Sequence, residues 1–328
     1  MSEAYQPHRI LLTGGLGFIG SHLVNYLVEK YPDVLIVNLD RHDYCSSLKN
    51  ITVADAPNYR YVKGDMGTMD FVMHILQSYN IDTIMNLAAQ SSVDHSENNS
   101  IAHVQDNIVA VHTMLEATRR YGKIRRFLQV STDETLGDQV DGIAATEDSI
   151  LAPNNIYAST KACGELLCRA YRVSYKLPLI LSKGNNVHGF GQHTDKVFPR
   201  FCTQLLSGKK VTVHGDGLTS RSFLHVSDTV KALETILLKG VIGETYNIGT
   251  RRELTVLEVA DTLRRRICPD KTLADIVEYV KDRPYNDKHY KITSDKLRAL
   301  GWKEEKDFDQ GIDELVEWYR NHGDDHWE

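Results

Sequence analysis

Five residues in two short stretches have side chains suited to moving protons. Ser131-Thr132-Asp133-Glu134 sets a hydroxyl beside two carboxyls, and Tyr157-Ala158-Ser159-Thr160-Lys161 sets a phenol four residues before an ammonium. Adjacent carboxyls in different surroundings can divide the roles of acid and base. A tyrosine is a poor base at its ordinary pKa of about 10, and a nearby positive charge favours its phenolate. Such a set needs an electron acceptor and a substrate from the rest of the chain. The apolar run Arg126-Phe127-Leu128-Gln129-Val130 reads as a buried parallel strand, so Thr132, Asp133 and Glu134 fall at its carboxyl end. In open α/β sheets ligands bind at that end. Tyr157 and Lys161 stand at i and i+4 of a predicted helix and share one face. Taken singly, Asp-Glu after a strand reads as a solvated turn, and Y-x-x-x-K is common by chance. The strand before the first and the pairing of the two argue for a site.

The acceptor is foreshadowed near the amino terminus. Arg9-Ile10-Leu11-Leu12-Thr13 reads as a strand, and the stretch from Ser21 to Leu27 has helical periodicity. Between them Gly14, Gly17 and Gly20 follow a G-x-x-G-x-x-G spacing. Glycines there permit a tight turn and close approach of backbone amides to a pyrophosphate, which faces the helix amino terminus. The second strand, Val34 to Leu39, ends at Asp40, twenty residues past Gly20, where an acidic residue grips the adenosine ribose of NAD. Arg41 beside it could accommodate a 2′-phosphate, so NADP stays open. A third strand ends at Asp65, placed to meet the adenine, and a fourth, Thr83-Ile84-Met85-Asn86, leads to Leu87-Ala88-Ala89, whose small side chains leave room for a nicotinamide. The β-α-β-α order predicts an α/β fold: a Rossmann-type, doubly wound parallel sheet with a smaller α+β carboxyl-terminal substrate lobe.

At 328 residues the chain suits two domains, expected as 1–182, with about 225–250 returning to the sheet, and 183–328. Charged residues make up 25% and the net charge is -6, which gives no global attraction to nucleic acid or anionic lipid. Five cysteines without a C-x-x-C pair argue against a disulfide framework or a zinc site and for a reducing compartment. No run approaches the roughly 18 apolar residues of a membrane span, and the first residues lack the pattern of a signal peptide. The expectation is a cytoplasmic protein with neither membrane nor nucleic-acid partner.

The glycine loop, Leu87-Ala88-Ala89-Gln90, Ser131 to Glu134 and the Tyr157/Lys161 pair together resemble the extended short-chain dehydrogenase/reductases, and more narrowly the nucleotide-sugar 4,6-dehydratases. Thr-Asp-Glu is the discriminating piece, because related 4-epimerases lack the Asp-Glu pair. Asp43-Tyr44-Cys45, Gly184-Asn185-Asn186-Val187, His214-Gly215-Asp216-Gly217, Tyr246-Asn247-Ile248-Gly249-Thr250 and Asp282-Arg283-Pro284 are similar to the UDP-glucose 4,6-dehydratase domains of UDP-rhamnose synthesis. The resemblance implies a chemistry. A hexose is oxidised at carbon 4, which acidifies the carbon-5 proton; water leaves across carbons 5 and 6, and hydride returns to carbon 6. By resemblance Tyr157 is the base for the carbon-4 hydroxyl, and Thr132 bonds that hydroxyl. Lys161 holds the nicotinamide ribose, Glu134 is the carbon-5 base, and Asp133 is the acid toward the departing hydroxyl. The implied cofactor set is Gly14, Gly17, Phe18, Ile19, Asp40, Asp65, Met66 and Ala88 with Tyr157 and Lys161. The implied sugar-nucleotide set is Gln90, Asn186, Lys196, His214, Arg221, Asn247 and Arg283. A UDP- or dTDP-hexose as partner and a homodimer are implied as well.

The chain also departs from the family pattern. Thr135-Leu136-Gly137 replaces Val-Tyr-Gly, Ser92 replaces His, Lys183 replaces Arg, and His188 and Phe190 stand where Tyr and Pro are common. These changes are expected to cluster around the sugar, which leaves UDP-glucose and UDP-N-acetylglucosamine both open as substrates and a coupled 5-epimerisation conceivable. The rivals are an NAD-dependent 4-epimerase and a non-catalytic dinucleotide-binding scaffold.

Overall fold

Ile10, Leu11 and Leu12 are fully buried, as residues of a strand covered on both faces must be. In the computed structural model, which describes residues 5–139, 142–281 and 289–327, they form β1 (Arg9–Thr13). The chain continues through α1 (Phe18–Lys30), β2 (Leu35–Asp40), β3 (Tyr59–Lys63), α2 (Met69–Ser78) and β4 (Thr83–Asn86). A helical run follows, made of α3 (Val93–Asn98), α4 (Ser100–Val104), a π-helical turn (Gln105–Val109) and α5 (Ala110–Tyr121). Then come β5 (Arg126–Thr132), α6 (Ile156–Tyr175) and β6 (Leu179–Gly184).

The second half contributes β7 (Asn186–His188), α7 (Val197–Leu206), β8 (Val211–His214), β9 (Ser220–His225), α8 (Val226–Lys239) and β10 (Thr245–Ile248). It ends with β11 (Glu253–Thr255), α9 (Val256–Ile267), α10 (Leu273–Ile276), β12 (Val277–Val280), α11 (Asp295–Ala299) and α12 (Phe308–Asn321). Seven strands form one parallel sheet in the order β10-β6-β5-β4-β1-β2-β3. Strand order reverses between β1 and β4, the switch point at which such sheets open a crevice. Leu23, Leu27, Leu233 and Ile236 pack α1 and α8 on one face, and Ile75, Met114, Leu115 and Cys168 pack α2, α5 and α6 on the other. A three-stranded sheet, β11-β9-β7, and a two-stranded one, β12-β8, complete the second lobe. Its core of Phe198, Phe201, Leu263, Ile312 and Leu315 is separate from the two layers of the main sheet. Among the described residues no helix is long and apolar enough to cross a membrane.

Polar side chains pin the carboxyl ends of the central strands to one another. Thr13 Oγ1 donates to Asn86 Oδ1 (2.7 Å), and Asn86 Nδ2 donates to Gln129 Oε1 (2.8 Å). The ends of β1, β4 and β5 are thereby held in one plane, immediately beneath the catalytic candidates.

Candidate active site

β5 closes on Thr132, and one tight helical turn (Asp133–Leu136) follows it. Thr132 begins that turn: its Oγ1 accepts from the Glu134 amide (3.3 Å) and donates to Asp133 Oδ1 (3.2 Å). Asp133 is only 2% exposed, and Asn185 Nδ2 donates to its other oxygen at 2.5 Å. Burial, and then the neighbouring Glu134 carboxylate, push the Asp133 carboxyl up to about 7, against the bonds from Asn185 and Thr132. Glu134 is half-buried, and its Oε2 accepts from Asn155 Nδ2 (3.0 Å). The two carboxyls, one peptide apart, therefore differ in burial and partners, with Asp133 able to hold a proton near neutrality.

Asn155 also starts the helix that carries the phenol. Its Oδ1 accepts from the Ala158 amide (2.8 Å), capping α6, so one side chain ties Glu134 to the first turn that bears Tyr157. Tyr157 and Lys161 are both buried and line the same cavity as the two carboxyls. Lys161 Nζ donates to the Val130 carbonyl (2.8 Å), and burial lowers its pKa to about 8 while Glu165 opposes the shift. The Tyr157 phenol is pushed above its ordinary value by burial and by Glu134 and Asp133, with a bond to Thr132 as the opposing influence. Of the two positive charges expected to favour the phenolate, Lys161 and the nicotinamide, the first is not directed at the phenol in the fold. The ammonium is turned to the β5 backbone, and the charges that Tyr157 feels from the protein are negative.

One cavity of about 520 Å³ runs across the carboxyl ends of the strands. Gly14, Gly17, Phe18, Ile19, Asp40, Asp65, Met66 and Ala88 line one part of it, as the resemblance implies. Gly14 has φ +74° and a Cβ there would lie 2.8 Å from the Ala88 backbone, while a Cβ on Gly20 would collide with the Gly14 carbonyl. A Cβ on Gly17 would meet only the Gly14 carbonyl, at 3.4 Å. Gly17 caps α1 without a side chain, so the amides of the first turn are open to an anion. Asp40 accepts from the Leu16 amide (3.0 Å) and the His42 amide (2.7 Å), which fixes its carboxylate at the cavity edge. The glycine cradle, the helix amino terminus and this acid fit a dinucleotide. Arg41 is not presented to a 2′-phosphate: its guanidinium bonds Asp43 (2.5 Å) and Asp106 (2.7 Å).

Gln90, Asn186, Lys196, His214 and Arg221 line the remainder, together with Asp133 and Glu134. Gln90 Nε2 donates to Asp43 Oδ2 (2.9 Å), which joins the cofactor part to the sugar part. Lys196 Nζ donates to the Ser91 carbonyl (2.8 Å), and the Arg221 guanidinium lies 4.6 Å from the centre of the Tyr290 ring. Asn247 does not line the cavity: it stands in β10 at the edge of the main sheet and is fully buried there. Arg283 lies outside the described residues. Among the lining residues that the sequence reading did not assign to the site are Asn185 and Arg200. Asn185 grips Asp133 and accepts from the Thr250 amide (3.0 Å), and the Asn185-Asn186 doublet was its signal. Arg200 stands one helical turn beyond Lys196, a spacing that could have revealed it.

The departures from the family pattern do not cluster around the sugar. Of the six, Thr135, Leu136, Ser92, Lys183, His188 and Phe190, only Ser92 lines the cavity. Leu136 is 5% exposed and packs with Ala145 and Ile292, because the turn after β5 rotates its side chain away from the strand end. Lys183 pairs with Glu165 beneath the site. His188 is buried among Phe198, His225 and Phe308, and Phe190 lies against His22 and Trp318.

The model of the family described as GDP-mannose 4,6 dehydratase matches residues 11–315. A trifunctional UDP-glucose 4,6-dehydratase/UDP-4-keto-6-deoxy-D-glucose 3,5-epimerase/UDP-4-keto-L-rhamnose-reductase of Arabidopsis thaliana is 44% identical over 320 residues, 96% of this chain. The chain spans about half that relative's length, 47%. The dTDP-glucose 4,6-dehydratase of Bacillus anthracis, solved in complex with NAD, is 35% identical over 98% of each chain, with a TM-score of 0.89. The UDP-glucose 4-epimerase of Thermotoga maritima, solved with UDP-glucose, is 26% identical and reaches a TM-score of 0.87 over 95% of this chain and 99% of its own. Backbone shape therefore resembles the dehydratase and the epimerase almost equally. By the span of the family match, the chain belongs to the GDP-mannose 4,6 dehydratase family, within the extended short-chain dehydrogenase/reductases.

Proposed function

We propose that the protein is an NAD-dependent nucleoside-diphosphate-hexose 4,6-dehydratase acting on a UDP-sugar. The observation that carries this is the unequal pair Asp133 and Glu134, set one residue beyond Thr132 in the cavity that also holds Tyr157. The Gly14–Gly20 loop, Asp40 and Lys161 would hold NAD, which when bound would supply a two-electron acceptor able to return the hydride. Tyr157 takes the proton of the carbon-4 hydroxyl while Thr132 bonds the same oxygen. Glu134 removes the carbon-5 proton once carbon 4 is a ketone. Asp133, protonated near neutrality, gives its proton to the departing carbon-6 hydroxyl. Lys196, Arg200 and Arg221 supply positive charge for the diphosphate, to which the arginine fork is well matched. In this reading residues 1–182, with about 225–250, hold the cofactor, and 183–328 hold the sugar nucleotide.

The five free cysteines suit the reducing cytoplasm. A homodimer is supported by a stripe of exposed apolar residues on adjoining helices. Ile101, Val104 and Val109 stand out on the α4–α5 run, and Ile156, Leu166 and Val173 on α6. A second copy covering this stripe would bury it, and Leu166→Glu would then shift the mass measured by light scattering to that of a monomer.

The test is incubation with UDP-glucose, dTDP-glucose and UDP-N-acetylglucosamine, followed by mass spectrometry. Loss of one water supports the dehydratase. A product of unchanged mass but inverted carbon 4 would make the protein an epimerase, and no product from any of the three would sink both readings.

A further inference from the structure

A buried ion pair beneath the site takes no part in the proton transfers above. Glu165, two turns beyond Tyr157 on α6, and Lys183 on β6 are 3.0 Å apart, with side-chain exposures of 6% and 4%. The second Glu165 oxygen accepts from Ser131 Oγ at 2.6 Å. Ser131 and Lys183 are register partners across β5 and β6. One turn earlier on the helix, Lys161 Nζ donates to the Val130 carbonyl at 2.8 Å. α6 therefore grips β5 at two successive residues, Val130 and Ser131, through side chains four apart. The next three residues of the chain are Thr132, which ends β5, and Asp133 and Glu134, which open the turn after it.

Buried ion pairs of this kind stabilise a fold little more than apolar residues of equal volume would, and losing one partner is strongly destabilising. What they add is direction. A carboxylate bonded on both oxygens fixes rotation and register between helix and strand, whereas apolar packing permits sliding. Neither Glu165 nor Lys183 lines the cavity, so neither can act on the substrate directly.

We propose that Glu165 and Lys183 are positioning residues, a bracket that sets the spacing between the Tyr157–Lys161 face of α6 and the Thr132–Asp133–Glu134 end of β5. This rests on the dehydratase reading of the site. The bracket acts on the reacting groups alone, because the diphosphate-facing residues Lys196, Arg200 and Arg221 stand on other elements. Its loss therefore lowers kcat and spares KM. Lys183 stands where the family usually has arginine, a second cation that can bond a carboxylate, so the bracket is expected to accept either.

Glu165→Gln, Lys183→Met, Lys183→Arg and Ser131→Ala are compared with the wild type in the dehydration assay, at a temperature where circular dichroism shows each folded. Glu165→Gln and Lys183→Met each lower kcat by about 10- to 100-fold, the size expected of a misplacement on the order of 1 Å, with KM within about twofold. Their double variant is no worse than either single one. Lys183→Arg keeps wild-type kcat. Ser131→Ala leaves the charges paired and removes one bond, so it carries the test should the charge variants not fold; a kcat loss without a KM change supports the bracket. Wild-type kcat in Glu165→Gln, additive losses in the double variant, or a Lys183→Arg as damaged as Lys183→Met would overturn it. If the wild type itself dehydrates no nucleotide sugar, the dehydratase reading fails; if it does and the variants match it, only the bracket fails.

Discussion

The two halves of the cavity are built on different physical terms. The cofactor half comes mostly from one contiguous stretch, residues 14–41, and its contacts are largely backbone: glycine surfaces, the amides that start α1, and a carboxylate pinned by two amides. The sugar half converges from elements far apart in sequence, with Asn186 on β7, Arg200 on α7, His214 on β8 and Arg221 on β9. Between them lies a seam where neither description holds. There the buried Asp133, the half-buried Glu134 and the buried Tyr157 are arranged by side chains, Asn155, Asn185 and Thr132, rather than by backbone. The comparison predicts that single side-chain changes cost most at the seam and least at the periphery of either half.

The largest effect is expected from Tyr157→Phe. Without the phenol no group takes the proton of the carbon-4 hydroxyl, and turnover should fall by about 10³-fold, the middle of the range for a lost acid–base group. Turnover within tenfold of wild type, measured by mass spectrometry, would remove Tyr157 from the seam.

Asp133→Asn should lower turnover by about 10²-fold, with carbon 4 still oxidised and the elimination stalled. It also has a stability signature. The carboxyl holds its proton up to about 7 in the fold against 3.8 ordinarily, so the folded state binds the extra proton between those limits. Wild-type stability therefore falls as pH rises from about 4 to about 7 on account of this group, and elimination slows above about 7 as the acid form is lost. Asparagine abolishes that dependence. Melting temperatures of the two proteins should draw apart over this window, with the variant the more stable at its upper end. A constant gap would mean that Asp133 is ionised throughout.

The same contrast explains what could be read from the chain before its fold was known. Gly14, Gly17, Gly20 and Asp40 act through local geometry, so spacing along the sequence was enough to place them. Thr132, Asp133 and Glu134 follow one buried strand, and Tyr157 and Lys161 one helix turn, which again is local. Asn185 and Arg200 carry only faint local signals, the Asn185-Asn186 doublet and the four-residue step from Lys196, and their roles, like that of Glu165, arise when the chain around β6, α7 and α6 is brought together. Asn247 shows the converse: its motif matches, yet its side chain is fully buried and does not line the cavity. For Tyr157, helix spacing places Lys161 near the phenol but says nothing of Val130, to which the ammonium is turned.

A smaller effect tests the cofactor half. Arg41 is occupied by Asp43 and Asp106, with the Asp65 carboxylate 3.9 Å away, so its charge is spent within the protein. Freeing it with Asp43→Asn and Asp106→Asn together should raise affinity for NADP relative to NAD by about tenfold, the scale of one charge-assisted hydrogen bond. Titration calorimetry with the two dinucleotides gives the ratio. An unchanged ratio would place the discrimination with Asp40 alone.

The smallest effect on chemistry, and the sharpest test of the sugar half, concerns the departures from the family pattern. Leu136 replaces a tyrosine, and from sequence alone that change bears on which hexose is taken. In the fold Leu136 is buried against Ala145 and Ile292 and does not line the cavity, whereas Ser92 does. Leu136→Tyr should therefore act as an overpacked core residue, destabilising by about 1–3 kcal/mol, and leave the ratio of kcat/KM for UDP-glucose and UDP-N-acetylglucosamine where it was. Ser92→His, which restores the family's residue on the cavity wall, should move that ratio. If Leu136→Tyr alters the preference and Ser92→His does not, selection is made at the turn after β5 rather than on the wall formed by the segment after β4, and the sugar half would be organised around the same strand end as the seam.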